Sequence, residues 1–223
     1  MASSAPADGP AAAENSPPRQ RDAARTREEI LDLATEEFAD KGYAGARVDE
    51  IAARTRTTKR MIYYYFGGKE QLYVAVLERA YAVIRSIERE LDVEHLDPVQ
   101  AIRSLAELTF DHHESHPAFI RLVTIENIDH GAHLAKSAEL PGLATPALEV
   151  LTGILERGRA EGRFRSDADA LDVHMVISSF CVFRTANRHT FQAIFGRDML
   201  APQRREQYRR MVGDLVVRYL GAE

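Results

Sequence analysis

Ten consecutive residues, Thr57-Thr58-Lys59-Arg60-Met61-Ile62-Tyr63-Tyr64-Tyr65-Phe66, bring together the side-chain types that recognise a nucleic-acid duplex. Lysine and arginine donate to guanine or to phosphate, threonine hydroxyls both donate and accept, and a thioether can rest on a thymine methyl. In a helix that enters a major groove the N-terminal residues reach the base edges, here Thr57, Thr58, Lys59, Arg60 and Met61. Three adjacent tyrosines cannot all face inward on one helix, so at least one is left for the duplex.

Histidine is the second ingredient with possible chemistry. His112, His113 and His116 form one group, Glu126, Asn127, His130 and His133 a second, and His174 and His189 lie further on. His112 with His116, and His130 with His133, have the i+4 and i+3 spacing that sets two imidazoles on one helix face, as a metal site needs. No cysteine pair or further ligand set completes such a site. A second reading makes these residues the lining of an effector cavity. Phe110, Phe119, Ile120, Val123, Met175 and Phe183 would be its walls, and His113, Glu126, Asn127, His130, His174 and Arg184 its orienting groups. In a third, the histidines are ordinary surface or core residues. A helical metal-dependent hydrolase built on them and Glu126 is the rival from another class. No nucleophile elbow, phosphate loop or zincin motif supports it, so neither an enzyme nor a cofactor is expected.

The elements that must position these residues read as all-α, with helical spacing throughout and no alternating strand. A chain of 223 residues with 45% hydrophobic content can bury one sizeable core, or a medium core plus a small satellite domain. Residues 1–22 carry almost no large apolar side chain and read as a disordered arm with a basic end at Arg19 and Arg21. A first helix spans about Arg25 to Asp40 and stops near Gly42, a second fits Val48 to Arg54, and a third runs from Lys59 to about Tyr65 with Thr58 as its N-cap. A long fourth helix follows Gly67-Gly68, from about Lys69 to Leu91. Pro98 and Pro117 open a fifth and a sixth, and a seventh covers about Thr145 to Glu161. Ser166-Asp167 caps an eighth towards Arg188, and Pro202 opens a ninth.

Charge agrees with a local interface rather than a global one. The net charge is −5, yet residues 19–69 hold 11 Lys/Arg against 9 Asp/Glu, whereas residues 70–223 hold 18 against 23. Any nucleic-acid binding must therefore come from a local patch, and the modest asymmetry has the sign expected for one in the N-terminal part. The single Cys181 fits a reducing compartment, and no apolar run is long enough for a signal peptide or a bilayer span. The expected location is the cytoplasm.

Arg27-Glu28-Glu29-Ile30-Leu31, Phe38-Ala39-Asp40-Lys41-Gly42-Tyr43, Val48-Asp49-Glu50-Ile51-Ala52 and Ile62-Tyr63-Tyr64-Tyr65-Phe66, followed by Lys69-Glu70-Gln71-Leu72, resemble the DNA-binding domain of TetR-family transcriptional regulators. The resemblance covers about residues 25 to 75. It implies that Tyr63, Tyr64 and Lys69 contact the DNA backbone while Ile62 and Phe66 pack inward, with Lys69 adding its charge to the dipole of the fourth helix. Two positions depart from the family pattern: Arg56 stands where the turn usually has glycine, and Ala46-Arg47 replace paired threonines, leaving Arg47 able to reach a phosphate. The implied organisation is a helix-turn-helix domain over 23–68 and a helical effector-binding and dimerisation domain over 69–223. The implied function is a repressor that binds a pseudo-palindromic double-stranded operator as a homodimer and leaves it when a small molecule binds. A metal-responsive regulator with the same head is the alternative. The last two long helices would pair with their copies as a four-helix bundle, with Ile177, Phe180, Met211, Leu215 and Tyr219 in its seam or core.

Overall fold

The computed structural model describes residues 18–91 and 93–221, with the side chains of 18–21 and 143–147 left aside. Most of the predicted arm, residues 1–17, lies outside the described residues. Ten α-helices and one short 3₁₀ turn make up the described chain, with no strand beyond an isolated bridge between Phe164 and Gly221. They are α1 (Pro18–Gly45), α2 (Val48–Arg54), α3 (Lys59–Phe66), α4 (Lys69–Glu90), α5 (Pro98–Ser115), α6 (Pro117–Ile128), α7 (Leu140–Ala160), α8 (Ala170–Ala186), α9 (Arg188–Phe195) and α10 (Pro202–Leu220).

The expected all-α architecture is present, with three departures. Helix α1 starts at Pro18, so Arg19 and Arg21 stand on a helix. It also continues one turn past Gly42, whose φ of 69° bends it there, a conformation glycine adopts without a Cβ penalty. Helix α8 is capped by Asp169, which accepts from the Leu171 and Asp172 amides at 2.8 and 3.4 Å, rather than by Ser166-Asp167. Helix α9 was not predicted, because Arg188 to Phe195 reads as a continuation of α8 until Asn187 breaks the ladder.

Two cores result. The first gathers Ile30, Leu31, Ala34 and Phe38 of α1, Val48, Ile51 and Ala52 of α2, and Ile62 and Phe66 of α3. It is completed by Leu72, Tyr73, Val76 and Leu77 of α4 and by Leu122 of α6. The predicted boundary between residues 68 and 69 thus falls where α4 begins, and the first two turns of α4 belong to this core. The second core joins α5, α7, α8 and α10 through Ile102, Phe110, Leu151, Ile177, Val212 and Val216. Polar ties fasten α4 and α6 to α1 around the first core: Arg79 donates to Asp32 at 2.7 Å and to Thr35 at 2.8 Å, and Arg121 Nε donates to the Ala39 carbonyl at 2.5 Å.

Candidate nucleic-acid interface and the histidine-lined interior

Helices α2 and α3 are joined by a tight turn whose residues are fixed one by one. Thr55 is buried and its hydroxyl donates back to the Ile51 and Ala52 carbonyls at 3.0 and 3.1 Å, closing the end of α2. Arg56 then takes φ 51°, so the non-glycine residue adopts the left-handed conformation itself. The steric cost of doing so is roughly 1–2 kcal/mol. Thr58 is the N-cap, its hydroxyl accepting from the Met61 amide at 3.3 Å. Gly67, at φ 85°, ends α3.

This geometry gives the ten-residue stretch an inward and an outward side. Ile62 and Phe66 are buried against α1 and α2, and Tyr65 packs half-buried beside them. Tyr63 and Tyr64 face outward, 44% and 78% exposed. Thr58, Lys59 and Arg60 are exposed, whereas Thr57 and Met61 are half-buried. Arg60 has no ion-pair partner among the described residues. Lys59 is tethered to Asp49 of α2 at 3.0 Å, a hydrogen-bonded pair that raises the lysine pKa and keeps its ammonium charged. Arg47 lies exposed at the start of α2, its amide donating to Glu37 at 3.3 Å.

Lys69 is more elaborately held than the sequence suggested. Its Nζ lies over the Tyr43 ring, 4.9 Å from the centroid, and reaches the Ala44 carbonyl at 3.5 Å, while partial burial lowers its pKa. Tyr43 in turn stacks between Phe38 and His133, with ring centroids 6.4 and 4.2 Å away. Sequence reasoning missed the role of Tyr43, although it stands in the quoted Gly42-Tyr43 motif. An aromatic residue just after the glycine that bends α1 was the available signal.

Of the two histidine pairs that helical spacing implied, His112 with His116 forms and His130 with His133 does not. Helix α6 ends at Ile128, and His130 sits at φ 57° in the following loop, so His130 and His133 share no helix face. His133 is instead bound through Nδ1 to Glu126 at 2.8 Å, and the Glu126 carboxylate also accepts from the His133 and Leu134 amides at 3.2 and 3.1 Å. Glu126, Asp129 and His133 present ligand-type atoms within 4.8 Å of one another. Those three donors already satisfy Glu126, so the group acts as a latch that pins the α6–α7 connection against Tyr43 and Tyr73. On α5, the His112 and His116 rings stack at 4.2 Å. No third metal-ligating side chain joins them among the described residues.

The twelve predicted effector-pocket residues are spread over several environments. Phe110 and Arg184 are buried together, with the guanidinium 4.1 Å from the ring centroid. Phe119 packs edge-on against Tyr81, His112 and His113, and Val123 lies beside it. His174 shares a hydrogen bond with Ser178 at 3.3 Å. Asn127 is exposed and donates to the Val123 carbonyl, and His130 is exposed. Met175 and Phe183 project outward, 61% and 51% exposed. The structure thus gathers His113, Phe119, Val123 and His174 near the α5–α6–α8 junction and leaves the others apart.

His112 and His113 are 4% and 6% exposed. Burial, reinforced by the neighbouring histidines and by Arg85, pushes their pKa values down to about 3 and about 4. His174 is lowered by the same burial and by Arg85, which is itself paired to Glu88 at 2.5 Å. Because the unfolded chain takes up these protons near 6.5, the stability they confer is complete above that pH and is lost as pH falls towards 4. We expect the melting temperature to drop between pH 7.5 and pH 5, with about 2 kcal/mol lost for each of His112 and His113. His112→Leu should remove roughly half of that pH dependence, which thermal unfolding at the two pH values will show.

A short capped helix that displays cations and tyrosines above a buried apolar face, carried on a larger helical body, defines a helix-turn-helix regulator. Residues 30–76 match the pattern of the bacterial regulatory proteins of the tetR family, and residues 98–216 match the tetracyclin repressor-like C-terminal domain. The chain is 37% identical over 202 residues to the HTH-type transcriptional repressor NicS of Pseudomonas putida, covering 91% of this chain and 95% of that one. It is also 37% identical over 123 residues to the HTH-type transcriptional repressor SCO4008 of Streptomyces coelicolor, covering 54% and 57%. The crystal structure of the transcriptional regulator SCO4942 from Streptomyces coelicolor superposes with a TM-score of 0.65 at 26% identity, over 89% of this chain and 99% of that one. The chain belongs to the TetR family of transcriptional regulators.

Proposed function

We propose that the protein is a repressor acting in the cytoplasm, which grips a pseudo-palindromic DNA site as a homodimer and releases it when a small molecule binds the helical body. The observation that carries this reading is the two-sided α3, with Ile62 and Phe66 buried and Lys59, Arg60, Tyr63 and Tyr64 turned outward. In it Thr57, Thr58, Lys59, Arg60 and Met61 face bases, while Arg47, Tyr63, Tyr64 and Lys69 hold the backbone. Pairing is supported by apolar side chains left on the outer faces of α8 and α10. Leu171 and Met175 are each 61% exposed, and Met211 and Leu215 are 40% and 44% exposed, each pair spaced four apart. One short helix makes few base contacts, and doubling it across a two-fold site multiplies specificity. Ile177, by contrast, is buried within the protomer and serves its core.

Phosphate contacts set the salt dependence of binding, whereas base contacts set its preference. Lys69→Ala should therefore weaken binding to all sequences by a similar factor and reduce the slope of log K against log salt by about one. Fluorescence anisotropy on a selected site and on random DNA, over a salt series, measures both. An unchanged slope would remove Lys69 from the backbone contacts, and DNA binding without salt dependence would overturn the whole reading.

A further inference from the structure

The bend at the end of α1, the α5–α6 corner and the α8–α9 junction line a crevice of about 580 Å³. Its walls are largely apolar, with Pro117, Ile120, Ile125 and Leu200 facing Ala39 and Gly42 of α1. Three cations, Lys41, Arg121 and Arg188, and two carboxylates, Asp40 and Glu114, also line it, together with His113 and His189.

The polar groups are unequally satisfied. Glu114 lies between Arg184 at 2.6 Å and Arg205 at 3.2 Å, and Asp40 faces Arg121 at 3.4 Å. Lys41 is paired with Glu37 and Glu50. The Thr124 and Thr185 hydroxyls spend their protons on carbonyls of their own helices, so they offer only lone pairs to an occupant. Three lining atoms are left over: Arg188 Nε, His113 Nδ1 and Glu114 Oε2 are buried without a well-formed hydrogen bond among the described residues. Glu114 Oε2 is held by the charge of Arg184 at 2.6 Å, and His113, more than nine-tenths buried, has only the Thr109 backbone one turn back as a partner. Asp198 reaches only the Nη2 end of Arg188, at 3.5 Å.

We infer that this crevice binds a small, mostly apolar carboxylic acid, whose carboxylate meets Arg188 and His113 while its body fills the space between α1 and α6. A guanidinium is a donor only, so the group that satisfies Arg188 Nε must be an acceptor, and an anion makes the stronger charge-assisted bond. A neutral imidazole can supply a second donor from Nδ1. An amine would leave Arg188 Nε unpartnered and meet like charge. The apolar walls select the remainder of the molecule.

The position of the crevice gives its occupant leverage. It touches residues 39–42, the last stretch of α1 before the helix-turn-helix, and it lies beside the Arg121 bonds to the Ala39 and Asp40 carbonyls that fasten α1 to α6. A ligand shifts the protein only towards a state it binds more tightly. An acid wedged here favours the spacing of α1 and α6 that admits it, and α2 and α3 move with α1. This inference rests on the reading of the chain as an effector-controlled DNA-binding protein.

The test uses the full-length protein with benzoate, phenylacetate and hexanoate, each against its matched primary amide. Thermal unfolding without DNA and anisotropy with operator DNA are both recorded. At least one acid should raise the melting temperature by several degrees at millimolar concentration and change DNA affinity at least tenfold, with its amide inactive. Arg188→Gln should reduce the response to the acid at least tenfold, and Ile125→Trp, which fills the crevice from its apolar wall, should do the same without touching a charge. The inference is overturned if no acid acts, if the amides act equally, or if both variants respond as the parent does. A protein that binds DNA but ignores every acid removes only this inference, whereas one that fails to bind DNA at all removes the functional reading.

Discussion

A protein carrying Lys59→Ala together with Arg60→Ala is expected to fold normally and to lose roughly 10²- to 10⁴-fold of its preference for a specific site over random DNA, since each good base contact supplies about one to two powers of ten. Both side chains are exposed at the start of α3, and neither contributes to the first core. The Lys59–Asp49 pair is solvent-exposed, and such pairs add little to stability. Binding to random DNA should fall far less, because Arg47, Tyr63, Tyr64 and Lys69 remain. Competition between a selected site and random DNA gives the ratio directly, and circular dichroism confirms the fold. If the ratio stayed at its original value, α3 would not be the element in the groove. Asp49→Ala adds a control: it frees Lys59 without removing it, and specific binding should persist.

Arg184→Ala is expected to cost about 3 kcal/mol of stability, the lower end of what removing one partner from a buried ion pair costs. Arg184 is 3% exposed and holds four things together. It pairs with Glu114 of α5, donates from Nε to the Met199 carbonyl at 3.1 Å, and lies over the rings of Phe110 and Tyr208. Truncation deprives a carbonyl of its donor and opens a void beneath two aromatic rings. Glu114 keeps Arg205, which is why the cost stays at the lower end. Denaturant unfolding should show the loss as a lower midpoint. Arg184→Met, which keeps the volume, should recover part of it, and equal stability of the alanine variant and the parent would show that Arg205 alone suffices.

Much of the site was legible in the sequence because it is local. Thr58 as N-cap, Lys69 at a helix start and at least one outward tyrosine follow from spacing within one or two turns, and the resemblance to the family supplied the inward Ile62 and Phe66 and the outward Tyr63 and Tyr64. Arg56 shows how far local reasoning reaches: the turn demanded a left-handed residue, the sequence offered no glycine, and the arginine adopts the strained angle. The histidines were read less well for the same reason. Their roles depend on where helices stop and which distant elements close over them, as with His130 beyond the end of α6 and His133 between Tyr43 and Tyr73. Met175 and Phe183 were placed inside because apolar residues on a long helix read alike, whether they face a core or a partner chain.

The first core bears on any attempt to treat the reading head as an interchangeable part. Tyr73, Val76 and Leu77 from α4 and Leu122 from α6 are fully buried among the residues of α1, α2 and α3. A chimaera spliced at the glycine pair after α3 would sever that packing and strand an apolar face on each half. A graft that carries α4 through Ala80, and keeps a leucine at position 122 to receive it, transplants a sealed unit whose specificity can be exchanged while its attachment to the sensing body stays native.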